Sequence, residues 1–545
     1  MRKAHTVSSY LIHKLSAYGV RHIFGVPGDY VLGFYKELEN SQIEVINTCD
    51  EQGAGFAADA YARVSGLGAV CVTYCVGGLK VANTTAQAFA EKSPVVVISG
   101  APGTNERIKT PLLHHKVRDF DTQLKIFEQL TVASTVLNDP QTACREIDRV
   151  FSAAERYKRP VYIELPRDMV HYPVIAGRQI QGGTPASDAV VLQEALHEAI
   201  ALINAAKRPV IIAGVELHRF GLQDMLLRFL EKSRIPVAST ILSKSVLVEN
   251  HPQYLGVYEG AMCRDEVKEY VESSDCLILL GVFMSDVNLG VFTAKLDQGK
   301  SVCADSEKVT IRYHNYEGIV LGDFIGGLTK ANIRKRKDAR IPHPPFPKLP
   351  VPMAKKQVTV RYLFQRLNSF LDDNSIVIAD PGDAMFGAID MTIHNATEFL
   401  SPAYYTSLGF AIPASLGAQS ARPDLRPLVL VGDGAFQMTG MELSSIARYH
   451  LDPIIVVLNN QGYGTERPML DGRFNDVHMW DYHRIPEVLG AGKGYEIRTE
   501  DQLEEALQEA QKHTDSFCIL NVHLDQQDRS LALERLTTTL SKRIR

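Results

Sequence analysis

The sequence has no run of about 18 apolar residues, so it predicts no membrane span. It also lacks any strong excess of charge: the formal net charge is −5, which excludes the positive field expected of a protein that binds nucleic acid or an acidic surface. The opening stretch MRKAHTVSSYLIHKL starts basic and then reads as an amphipathic helix, without the long apolar centre of a secretory leader. No C-x-x-C occurs, and no Cys/His cluster has zinc spacing. The eight cysteines are scattered, which predicts reduced, mostly buried thiols in a cytoplasmic protein. Cys71 and Cys75 read as one face of a strand. A Gly-x-Gly-x-x-Gly after a strand, with an acid about 20 residues further on, is missing too, and a nicotinamide dehydrogenase needs one.

Short apolar runs alternating with amphipathic stretches are abundant. HIFGVP, IEVINTCD, GAVCVTY and PVVVISGAP read as buried strands, and helical patterns such as AGFAADAYARVSG separate them. That alternation predicts a parallel sheet with helices on both faces. It lapses over 171–190 and resumes with EALHEAIALINAA, RPVIIAGVE, IPVAST and DCLILLGVF. A Pro- and Lys-rich stretch, KRKDARIPHPPFPKLPVPMAKK, reads as a stiff connector. SIVIADPG, PLVLVGDGAF and PIIVVLNNQGYG then build a third unit. In 545 residues this predicts an α/β chain of three consecutive doubly wound parallel-sheet domains, over 1–175, 188–335 and 356–530, with a tail helix over 531–545.

LVLVGDGAFQMTGMEL is a strand, a Gly-Asp-Gly turn and a helix; IIVVLNNQGYG is a strand ending in Asn-Asn. Asp433 and Asn460 would both sit at carboxyl ends of strands, where open α/β sheets bind ligands. A carboxylate, an amide and a backbone carbonyl make a hard oxygen set suited to Mg²⁺ shared with phosphate. Gly432 and Gly434 allow close backbone approach, and the following helix offers N–H groups to a diphosphate. Taken singly, each motif is ordinary turn chemistry. At this spacing the pair resembles the thiamine-diphosphate-binding motif, and the resemblance implies Asp433, Asn460 and the Gly462 carbonyl as metal ligands.

Glu51, in NTCDEQGAGFAADAYAR, follows a strand and opens a helix. It could simply complement the helix dipole. The stretch is similar to the first domain of the same family, which implies Glu51 as the partner of the aminopyrimidine ring. Asp29 in GVPGDY, His114 and His115 in LLHHKVRDFDTQ, and Glu466 in NNQGYGTE complete a match to the 2-oxo acid decarboxylases that act on pyruvate, indolepyruvate, phenylpyruvate and branched-chain acids. Alone, the paired histidines would be a solvated turn or one packed ring.

The resemblance runs over essentially the entire chain. It implies non-oxidative decarboxylation of a 2-oxo acid, joined to C2 of thiamine diphosphate, to an aldehyde and CO₂. Asp29, Glu51, His114, His115 and Glu466 would be catalytic, with Asp29 and His115 protonating and releasing the aldehyde while His114 orients them. Thr406, Leu408, Ala435, Tyr463 and Thr465 would join Glu51 and the motif residues around the cofactor. Thr406 stands where many members have Gly, and Ala435 where Ser is common. Asp383, Met385, Phe386 and Thr465 match substrate-pocket positions, and a small Thr465 favours aromatic or branched acids. The family also implies a homo-oligomer, a dimer at least and commonly a tetramer, with the site between subunits. Alternatives are a carboligase or benzoylformate-type lyase, disfavoured by the histidine pair with Asp29 and Glu466, and an inactive cofactor-binding protein.

Overall fold

The computed structural model describes residues 5–174, 186–337, 340–345, 348–394 and 398–544. Three large sheets follow one another along the chain. The first runs Glu44–Asn47, His22–Gly25, Gly68–Val72, Val95–Ala101, Val161–Pro166, Ser134–Val136, all parallel. The third runs Glu398–Leu400, Ser375–Ala379, Arg426–Gly432, Ile454–Asn459, Cys518–His523, Lys493–Ile497, also parallel. Numbered by position in the chain, both have the order 2-1-3-4-6-5. The expected α/β architecture is therefore present, and its central strands, Val95–Ala101 and Ile454–Asn459, are buried along their whole length as strands covered on both faces must be.

The middle sheet runs Tyr254–Val257, Val237–Ser239, Pro209–Ala213, Cys276–Leu280, Ser301–Ala304 in parallel and ends in the antiparallel pair Lys308–Ile311 and His314–Glu317. Its order reverses beside Pro209–Ala213, the place where such sheets hold ligands. There Glu216 receives Lys92 from the first unit and accepts the N–H of Ser306 at 2.7 Å, so a buried ion pair stands at the switch point.

The first and third sheets share one core. Helix Glu51–Ser65 is started by Asp50, whose side chain accepts the N–H of Gln52 at 2.8 Å, and stopped by Gly66 at φ 94°. It packs on helix Ala411–Ala421, and both present small residues. A Cβ on Gly417 would lie 1.9 Å from the carbonyl oxygen of Ala57. Phe56 and Phe410 meet edge to face at 5.7 Å across the same seam. Gly417→Ala is expected to lower the apparent Tm by about 6 °C or more, because backbone cannot step aside as a side chain can; an unchanged melting curve would show the seam to be loose.

The expected linker over 171–190 lies partly outside the described residues. Its described start, Pro173–Val174, pairs antiparallel with His5–Thr6. Residues 338–339 and 346–347 of the connector also lie outside them; its described remainder carries neither helix nor strand. The tail helix, Leu531–Ile544, docks firmly. Ser530 donates its N–H at 2.8 Å and its hydroxyl to the Asp383 carboxylate. Arg535 reaches Asp390 at 2.7 Å and the Met262 carbonyl at 2.9 Å. All eight cysteines are free and six are buried. Cys75 is not in the strand with Cys71, which ends at Val72; Cys75 has φ 50° in the turn that follows. Among the described residues no helix is long and apolar enough to cross a membrane.

Candidate active site

Asp29 lies beyond the end of strand His22–Gly25, and the histidine pair lies in the loop between strand Val95–Ala101 and helix Thr122–Leu130. The fold brings them together. His114 Nε2 is 2.7 Å from Asp29 Oδ2, and His115 Nε2 is 3.9 Å from Asp29 Oδ1. The three ligand-capable atoms lie within 4.8 Å of one another. The His114 ring stacks on Tyr30 at 4.7 Å, with its plane tilted by 17°. Arg167 covers the other ring system, 5.1 Å from the Tyr30 centroid, and stands 3.9 Å from Asp29. His115 has φ 65°, a conformation that non-glycine residues adopt rarely and that clusters at functional sites. Glu51, half-buried at the first turn of its helix, accepts from Lys80 at 2.8 Å; Lys80 also pairs with Asp50.

The second group lies on the third sheet. Strands Arg426–Gly432 and Ile454–Asn459 are neighbours, so Asp433 and Asn460 follow adjacent carboxyl ends. Asp433 accepts the N–H of Gly434 at 2.7 Å and of Gly462 at 3.1 Å, which brings two of the three expected ligand residues into contact. Its carboxyl is 1 % exposed, and burial pushes it up to about 6. No Lys or Arg forms an ion pair with it among the described residues. A buried carboxylate of this kind fits a divalent cation, which would offset the cost of desolvation. The Asn-Asn pair divides as strand alternation requires. Asn459 turns to Asn521 at 3.0 Å, leaving Asn460 on the other side, where a Cβ on Gly464 would come within 2.4 Å of its Nδ2.

Gly434 is needed because a Cβ there would strike the Tyr463 ring at 2.7 Å. The loop after Asn460 is pinned by Arg467, which reaches Asp471 at 2.9 Å and Asp476 at 2.8 Å. Glu466 is exposed on this loop, its N–H donated to the Tyr463 carbonyl at 3.1 Å. Thr406 has φ 56°, which accounts for Gly being common at the matching family position. Leu408 packs partly buried against the shared core, and Gly409 gives its N–H to Asp380 at 3.0 Å. Ala435 is 4 % exposed in the first turn after Asp433.

Of the four expected pocket residues, Thr465 sits by Gly382, its methyl 3.9 Å from where a Cβ on that glycine would be. Asp383 is occupied by Ser530, and its carboxyl is pushed up to about 6 by burial. Met385 is 1 % exposed in the core, with Phe386 packed against that core. Within the chain, no hydrogen bond or ion pair among the described residues joins the Asp29–His114–His115 group to Asp433, Asn460 or Glu466. Sequence reasoning missed Tyr30, Lys80, Arg167 and Arg467. Each acts through a partner distant in sequence or in an irregular loop, so no periodicity marks it.

Three family models of thiamine pyrophosphate enzymes match in order. The N-terminal TPP-binding domain covers 5–123, the central domain 196–324 and the C-terminal TPP-binding domain 382–522. The chain is 36% identical to an indole-3-pyruvate decarboxylase of Azospirillum brasilense over 92% of each protein. It is 32% identical to an alpha-keto-acid decarboxylase of Mycolicibacterium paratuberculosis over 96% of this chain and 94% of the relative. With pyruvate decarboxylase 1 of Pisum sativum the identity is 31%, over 97% and 92%. Similarity of that extent, through all three domains, makes this chain a member of the thiamine-diphosphate-dependent 2-oxo acid decarboxylases, a carboxy-lyase that binds thiamine diphosphate.

Proposed function

We propose that the preferred substrates are aromatic or branched 2-oxo acids, such as phenylpyruvate, indolepyruvate or 4-methyl-2-oxovalerate, rather than pyruvate. The observation that carries this is the small size of Thr465, a matched pocket position, and of Gly382 beside it, with nothing nearer than 3.9 Å to a Cβ built on the glycine. The name of the Azospirillum brasilense relative points the same way. A methylene's difference in such a pocket is worth only about 1–3 kcal/mol, so substrate ranges should overlap.

Bound thiamine diphosphate supplies the reactive C2 carbon and the electron sink that lets CO₂ leave. Asp433, Asn460 and the Gly462 carbonyl would hold Mg²⁺, Gly432, Gly434 and Ala435 would cradle the diphosphate, and Tyr463 and Thr465 would line its approach. The Thr406 carbonyl would accept from the pyrimidine amine, and Leu408 would pack against the cofactor. Glu51 holds the proton shared with the aminopyrimidine ring. His114, clamped between Asp29 and Tyr30, orients the relay. His115, 3.9 Å from Asp29 and outside direct hydrogen-bond reach, is the member free to exchange a proton with the product. Asp29 serves the same late proton transfers, and Glu466 stands by the departing carboxylate.

The complete site forms between two copies of the chain, in a homodimer or in a tetramer built of two such dimers, in the cytoplasm. Exposed apolar side chains flank each half-site in sequence, Leu112 and Val117 around the histidines and Met469, Leu470 and Phe474 after Glu466. Apolar groups left in the open at a functional face are what a subunit interface covers.

Parallel assays of pyruvate, 4-methyl-2-oxovalerate, phenylpyruvate and indolepyruvate, with a coupled alcohol dehydrogenase for aldehyde and separate CO₂ detection, test the reading. A larger acid should exceed pyruvate in kcat/KM by about tenfold or more. A preference for pyruvate would overturn it, and CO₂ without aldehyde would mean carboligation.

A further inference from the structure

Glu442 has no place in the chemistry described so far, yet it is 2 % exposed and fully engaged. Its carboxylate accepts the N–H of Cys49 at 3.1 Å, the N–H of Asp50 at 3.0 Å and the hydroxyl of Ser445 at 2.9 Å. Cys49 and Asp50 immediately precede Glu51, where the helix begins. The neighbouring Cys49 thiol adds a second tie, to the Met441 carbonyl at 3.2 Å. Gly53 completes the fit, since a Cβ there would fall 2.1 Å from Glu442 Oε1.

Burying a carboxylate is costly unless it is well satisfied. Here it does not serve merely to start the helix, because the Asp50 side chain already caps it through Gln52. What Glu442 adds is a connection. It lies at the far end of a continuous stretch that begins at Asp433: helix Asp433–Thr439, then the 3₁₀ turn Gly440–Glu442, leading into helix Leu443–Arg448. At the α-helical rise, Asp433 and Glu442 are about 13 Å apart along that stretch.

We infer that Glu442 is a positioning residue for Glu51: by holding the two N–H groups before it, Glu442 fixes where the Glu51 carboxylate stands and ties that position to the segment carrying Asp433. The inference rests on the reading of Glu51 given above. Because that reading places Glu51 and Asp433 of one chain in the two different sites of a dimer, the stretch 433–442 also links those sites.

The test compares full-length Glu442→Ala, Glu442→Gln, Gly53→Ala and Glu51→Gln. Three quantities are measured: amide hydrogen exchange at Cys49 and Asp50 in the protein without cofactor, thiamine diphosphate affinity, and exchange of the C2 proton of bound cofactor. Glu442→Ala should lose amide protection at both residues and slow C2-proton exchange about 10- to 100-fold, while affinity changes by less than about threefold, because only the position of Glu51 is disturbed. Glu442→Gln keeps one acceptor oxygen and should recover part of the rate. Gly53→Ala should reproduce the Glu442→Ala result with Glu442 present, by expelling its carboxylate. If Glu442→Ala does not fold, the glutamine and Gly53 variants decide the matter. Wild-type C2-proton exchange in the Glu442 and Gly53 variants, alongside slow exchange in Glu51→Gln, would overturn the inference alone. Wild-type exchange in Glu51→Gln would instead remove the reading on which it rests.

Discussion

Asp29→Ala should lower turnover about 10²–10⁴-fold, the usual cost of losing a proton-transfer group, and Glu466→Ala should fall in the same range. The first effect has a clear structural basis. Asp29 is the hydrogen-bond partner of His114 at 2.7 Å and the carboxylate nearest His115. Without it the His114 imidazole loses the hydrogen-bond partner that sets which ring nitrogen carries a proton, and His115 loses its nearby negative charge. Tyr30 would still stack on the His114 ring, so the loss should appear in kcat more than in KM. Following CO₂ and aldehyde separately in a single turnover sharpens the test. Asp29→Ala should release CO₂ ahead of aldehyde, since the role proposed for it comes after the carboxylate has left. Losses below about tenfold in both variants would sink the assignment.

On the role proposed for Glu51, Glu51→Gln should be equally severe, about 10²–10⁴-fold in turnover, because an amide could not hold a proton shared with the pyrimidine ring. Cofactor affinity should change far less. On the proposed reading the diphosphate end belongs to a separate group, Asp433 with Gly462 and the adjacent Asn460, which lies on another sheet. Lys80 would keep its pairing with Asp50, so the helix start should survive the substitution. Calorimetric titration with thiamine diphosphate beside a steady-state aldehyde assay separates the two effects. Turnover near the wild-type rate would remove Glu51 from the chemistry, and lost binding with unchanged kcat at saturation would make it an anchor instead.

The parts legible in the sequence were those written in contiguous residues. The runs VVVISGA, RPLVLVG and IIVVLN became strands because β-branched residues buried on both faces have few other solutions. GDG and NN could be placed because a strand end followed by a turn is a local event. The histidine pair gained its meaning only beside Asp29, 85 positions away, and family resemblance supplied that link. Nothing comparable pointed to Lys92 with Glu216 or to Glu442 with Cys49 and Asp50, where the contacts span whole domains and obey no period. Asp383 is a different kind of case. Its neighbours in sequence suggest a pocket, and its carboxylate is spent on Ser530 at the head of the tail helix, a partner 147 positions away. Cys75 was misplaced because a strand reads on through its last residue until a left-handed turn stops it, and a non-glycine turn of that kind leaves little trace in composition.

The seam between Glu51–Ser65 and Ala411–Ala421 has a consequence for how such a chain can diverge. Backbone meets side-chain positions there at distances that admit no added carbon at Gly417. Every larger residue at Gly417 is therefore closed to drift. Gly382 is constrained in another way, by a left-handed φ of 107°, which leaves Thr465 beside it as the position freer to vary. On the reading proposed above, mutation at Thr465 can explore substrate range while the frame that aligns Glu51 with the rest of its own chain is held constant. Selection for a new 2-oxo acid need not first rebuild the catalyst.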